Sequence, residues 1–98
     1  MPKRIQLSRK KGWRMPVNAI KVDRTTRWGN PYRVEGPTVE ADAVQLFREW
    51  LTGEWPELQM RRDWCLLHLH ELRGKDLACW CKPGDPCHAD VLLELANG

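Results

Sequence analysis

Apolar and polar positions alternate near the start of the chain. Ile5 and Leu7 share one side of Lys3–Ser8, which predicts a strand. Lys10-Lys11-Gly12-Trp13-Arg14-Met15-Pro16 breaks that pattern with turn chemistry. A second short strand is predicted over Asn18–Asp23 through Ala19, Ile20 and Val22. Arg24–Tyr32 has no usable period, and Gly29, Asn30 and Pro31 predict a loop that turns sharply and then runs extended.

The period then changes. Val39, Ala43, Leu46, Phe47, Trp50 and Leu51 recur at three- and four-residue steps, predicting a helix capped by Thr38 and ended by Gly53. A second helix is predicted from Trp55-Pro56, burying Leu58, Cys65, Leu69 and Leu72 and stopping at Gly74. Asp76–Cys81 reads as a compact apolar strand. Lys82-Pro83-Gly84-Asp85-Pro86 then turns into a last helix carrying Val91, Leu92, Leu95 and Ala96. Strands separated by helical patterns predict an α/β fold in a single domain, residues 1–98. Its sheet would be small and largely parallel, with three or four strands and about three packed helices, Rossmann-like in layout.

Composition adds three constraints. Hydrophobic content of 42% and charged content of 30% suit a globular chain, while 98 residues leave a thin core. No segment has transmembrane length and the N-terminus is too polar for a secretory core, so membrane partners are not expected. Four cysteines without such a signal predict a reducing, cytoplasmic setting, where they serve as thiols, ligands or catalytic groups.

Charge is unevenly spread. Residues 1–33 hold ten basic side chains against one acid, Asp23. Such a segment suits a phosphate-bearing partner, a nucleotide or a nucleic acid. Within Arg24–Tyr32, Arg24, Arg27 and Asn30 supply donors for phosphate or base edges, Trp28 a stacking face, and Gly29 room for close backbone approach.

The densest chemistry is Cys79, Cys81, Cys87 and His88. Three cysteines and a histidine make a zinc ligand set. Strand spacing opposes it: residues two apart lie ~6.6 Å from each other, whereas thiolates sharing one zinc lie about 3.8 Å apart. The strand would have to break at Trp80. Zinc is thus possible but not favoured, and a pocket at a helix N-terminus is preferred. Asp85 would cap that helix, Pro86 would begin it, and Cys87 and His88 would follow with their amides facing an anion. Cys87 would then be acidified and His88 could move a proton. Asp90, at the same helix end, would either join them or stabilise the first turn. Packing of inert thiols is the third possibility.

Arg24-Thr-Thr-Arg27-Trp28-Gly29-Asn30-Pro31 and Leu77-Ala-Cys79-Trp-Cys81-Lys-Pro83…Cys87-His88-Ala-Asp90-Val-Leu, in that order, resemble the family called domain of unknown function 4326. The resemblance spans nearly the whole chain and implies a phage or bacterial setting without fixing an activity. A lesser likeness, to domain of unknown function 488, rests on the spacing of Cys79, Cys87 and His88. The basic residue usual after its Cys-His pair is Ala89 here. That family lacks a counterpart of Cys81, which favours the pocket over zinc.

The expectation is therefore a protein that binds a phosphate-bearing nucleoside ligand between the Arg24–Tyr32 and Cys79–His88 loops. Two other outcomes stay open. One is a nucleotide- or nucleic-acid-processing enzyme using Cys87, His88 and Asp90; the other is a zinc-stapled interaction module.

Overall fold

The computed structural model describes residues 2–32, 39–82 and 84–98. Strands β1 (Arg4–Gln6), β2 (Ala19–Lys21) and β3 (Asp76–Cys79) form one parallel sheet in the order β1-β3-β2. The register sets Ile5 beside Ala78 and Ile20 beside Leu77. With partners on both sides, β3 has a backbone that needs no solvent, and Leu77, Ala78 and Cys79 are buried.

Helix α1 (Glu40–Leu51) buries Ala43, Phe47, Trp50 and Leu51 of the predicted stripe, with Leu46 half-buried; Val39 is the N-cap and is exposed, because it precedes the first helical turn. Helix α2 (Gln59–His68) continues as a 3-10 turn, Leu69–Leu72, and α3 (His88–Asn97) buries Val91, Leu92 and Ala96. Val22, Phe47, Trp50, Leu72, Leu77 and Leu92 form the centre of the core. No helix among the described residues is long and apolar enough to cross a membrane.

Three strands and three α-helices agree with the α/β expectation, with some local differences. Only the β2-to-β3 connection is a helical crossover; β1 reaches β2 through a loop, so the described residues contain no repeated βαβ winding. Helix α2 begins at Gln59 rather than beside Pro56. Leu58, expected inside, is 53% exposed at its N-terminal boundary with a positive φ of 53°. The predicted Thr38 cap lies outside the described residues.

Because the three strands are parallel, their C-terminal ends share one edge. The β1–β2 loop, the Asp23–Tyr32 loop and the Cys79–Cys87 segment all emerge there, where open parallel sheets usually carry their sites.

Candidate functional site

The sheet ends where the thiols begin. Leu7 N–H donates to Cys79 O (2.7 Å) and Val22 N–H to Ala78 O (2.8 Å), the last rungs of the ladder. Trp80 and Cys81 leave the sheet as a bend, so strand spacing does not apply to Cys79 and Cys81. The geometric objection to a shared metal is thereby overturned: the strand does break at Trp80.

The helix start also differs from expectation. Cys87, not Asp85, occupies the N-cap of α3, extended at φ −151° and ψ 140°, and His88 is the first helical residue. This extended step carries the Cys87 sulfur back to the strand end. The Sγ atoms of Cys79, Cys81 and Cys87 lie within 4.8 Å of one another, with Cys79 and Cys87 at 3.0 Å. Cys65, read as a buried apolar position, is buried on α2, where its thiol faces Arg27 O at 3.4 Å.

His88 is buried under the same cluster. Its ring meets Phe47 edge-on at 5.5 Å, and its Nε2 lies 2.5 Å from Val22 O. A carbonyl only accepts, so Nε2 carries the proton and Nδ1 keeps its lone pair. Burial holds the imidazole neutral, pulling its pKa below the ordinary histidine value against the Val22 carbonyl and Cys81. Nδ1 lies 3.9 Å from Cys87 Sγ. Metal-bound histidines commonly donate their second ring N–H to a backbone carbonyl. The three converging sulfurs are donors of a kind that suits zinc.

Arg4, which the sequence reading passed over, holds the segment in place. Its guanidinium donates to Lys82 O (2.9 Å), Asp85 O (2.8 Å) and Asp90 Oδ2 (2.9 Å). Burial opposes its charge, yet Asp90 and the three thiols keep it firmly protonated. Asp90 forms part of this clamp. A lone arginine inside a three-residue strand was the available signal, but its partner lies 86 residues away.

The three thiols form one hydrogen-bonded group. Hydrogen bonds from Cys79 and Cys87 pull Cys81 below the ordinary thiol range, with the Arg4 charge adding to the effect. Bonds with Cys79 and Cys81, and then burial, push Cys87 up. The acidified sulfur is Cys81, which is also the partly exposed one, while Cys87 is 1% exposed. Burial among its neighbours thus works against the acidification that a helix start would give Cys87.

The Arg24–Tyr32 loop is organised by Asp23. This buried carboxylate accepts from Thr25 N–H (3.1 Å), Thr25 Oγ1 (2.5 Å) and Trp80 Nε1 (2.9 Å), tying the two loops together. The sequence offered one hint of it, the single acid in a basic third. Gly29 makes a close approach, but to its own loop: a Cβ there would lie 2.5 Å from Arg24 Cα. Arg24 donates to Asn30 O and Tyr32 O, and buried Asn30 donates to Ala43 O (2.9 Å). The Trp28 ring is core, 5.0 Å from Trp64, and Arg27 lies over Trp64.

The predicted residues thus separate. Arg24, Cys79, Cys81 and His88, with Asp23, Thr25 and Trp80, wall a cavity of about 230 Å³. A smaller one of about 140 Å³ adjoins it, reaching Asn30 and Cys87 and sharing Arg24, Cys81 and His88. Arg27 lines a different hollow beside α2, and Trp28 and Gly29 line neither of the two thiol cavities.

No solved structure matches the chain. An uncharacterised 12.4 kDa protein from the nrdA–td intergenic region of Enterobacteria phage T4 is 32% identical over 78 residues, 80% of this chain and 67% of the phage protein. The family model of domain of unknown function 4326 matches residues 5–98, which include β1 from Ile5 onward, the Asp23 turn and the whole thiol segment. The chain belongs to that family.

Proposed function

We propose that this is a zinc-stapled ligand-binding protein. Cys79, Cys81, Cys87 and His88 Nδ1 would hold the ion, and the cavity beside it would take part of a phosphate-bearing nucleoside. The observation that carries this reading is the convergence of three sulfurs from a strand end, a bend and a helix cap. Bringing the 3.0 Å sulfur pair to the ~3.8 Å zinc separation requires less than 1 Å of movement. When bound, a four-coordinate ion of this kind supplies folding free energy, which a 98-residue core needs.

The protein's own groups prepare the site. The Val22 carbonyl presents Nδ1, Arg4 balances the thiolate charge, and the Asp23–Trp80 bond fixes one cavity wall against the centre. Cys87 is poorly disposed as a nucleophile, because its sulfur is sealed. The ligand half of the proposal rests on the cavity, which the Arg24 turn and the thiol segment wall together.

Native mass spectrometry and elemental analysis test the metal. One zinc per chain is expected, lost in Cys79→Ser and Cys81→Ser, with a lower melting temperature after chelation. Metal-free protein whose melting is indifferent to chelator and to added zinc refutes the centre. Titration with nucleoside monophosphates tests the cavity, and absence of binding by any of them at low salt removes that half.

A further inference from the structure

The cavity is small for a whole ligand. About 230 Å³ falls below the ~300–1,000 Å³ that encloses a drug-sized molecule, so most of a nucleotide would lie outside it. What lies outside is the β1–β2 loop, which the proposed site does not use.

That loop carries Arg9, Lys10, Lys11 and Arg14, all exposed, and no acid occurs before Asp23. Among the described residues none of these four makes a salt bridge. The Arg9 guanidinium lies over the Trp80 ring, 4.8 Å from its centre. Trp80 is 43% exposed, and its orientation is held by the Nε1–Asp23 bond. A partly exposed indole fixed at its edge, with an arginine already stacked over it, offers the pairing of ring and cation that bases and phosphates use. Farther along, Lys10 and Trp13 border a hollow of about 430 Å³ with Gln6, Leu7 and Ser8. Cations interleaved with aromatic faces are how proteins track single strands, with phosphates on the basic groups and unpaired bases on the rings. Paired bases offer no free face to Trp80.

We infer that the β1–β2 loop and Trp80 form a track for single-stranded nucleic acid, with one nucleotide entering the cavity walled by Trp80 and Cys81. The inference rests on the proposed ligand cavity and extends it to a polymer. Its backbone passes over Arg9, Lys10 and Lys11, and a base stacks on Trp80.

Fluorescence anisotropy with zinc-loaded protein and labelled oligothymidylate or oligouridylate of about twelve nucleotides tests it. Affinity is expected to fall steeply with salt. Replacing Arg9, Lys10 and Lys11 together by alanine should raise Kd at least ~10-fold and reduce the log–log salt slope by about two. Trp80→Ala should raise Kd about tenfold. Melting and zinc content of each variant identify misfolding, and the triple variant, confined to an exposed loop, keeps the test open should Trp80→Ala not fold. The proposal is overturned if folded parent binds no oligomer, if the triple variant binds like the parent, or if duplex of equal length binds as tightly. Thymidine monophosphate separates the two readings: binding of it without tighter binding of oligomer leaves the cavity and removes the track. Oligomer binding lost in the triple variant, with no monophosphate binding, does the reverse.

Discussion

Gly29→Ala perturbs the turn that joins the two loops. The added Cβ would lie 2.5 Å from Arg24 Cα and 2.7 Å from Asp23 O. Both are backbone atoms, so no rotamer relieves the clash, and the Asp23–Arg24 backbone must shift. Overpacking of this kind costs about 1–3 kcal/mol. A chain of 98 residues has an unfolding entropy near 0.2 kcal/mol/K, so melting should drop by ~5–15 °C. Asp23 anchors Trp80, so indole fluorescence should change before global melting. Thermal unfolding of parent and variant by circular dichroism measures the first effect, and emission spectra the second. A melting temperature within about 1 °C of the parent would refute the reasoning, because it would mean that this contact yields freely.

The remaining predictions concern protons and thiols. Burial acts to raise the Asp23 pKa, but the Thr25 hydroxyl and amide, the Trp80 N–H and Lys21 overcome it, leaving it below the ordinary carboxylate value. Its stabilisation is therefore complete above about pH 4 and is lost as pH falls through the depressed folded value. Parent stability should fall more steeply than that of Asp23→Asn across this acid range, and parallel melting curves would contradict the assignment. In chelated protein at neutral pH, an alkylating reagent should label Cys81 first, with added zinc suppressing the reaction. Cys65, buried with its pKa pushed up to about 11, should lag; earlier labelling of Cys65 or Cys87 would disprove the order.

The helices were readable because their information is local. Ala43, Phe47, Trp50 and Leu51 repeat at steps set by 3.6 residues per turn, and the same stripe is buried in α1. The parallel pairing of β2 with β3 followed from the helices between them, whereas β1 joins β2 through a loop that carries no such signal. Leu58 shows the limit: its apolar character fitted a helical stripe, but the chain enters α2 through a positive φ there and leaves it outside.

By itself the sequence determined the element types, the charge asymmetry and the residue set Cys79, Cys81, Cys87 and His88. Only the tertiary structure decided what those residues could do. Alternation states which face a side chain takes but not where hydrogen bonding stops. β3 ends at Cys79 because the pairing with β1 and β2 runs out there, which frees Cys81 to turn toward its neighbours. The tautomer of His88 depends on a carbonyl 66 residues away, and the charge balance of the thiols on Arg4 in the opposite edge strand. Trp28 and Trp80 look alike in sequence, each beside a turn. Packing against Trp64 buries one, while the bond to Asp23 holds the other at the surface, because burial depends on chain segments that local sequence does not contain.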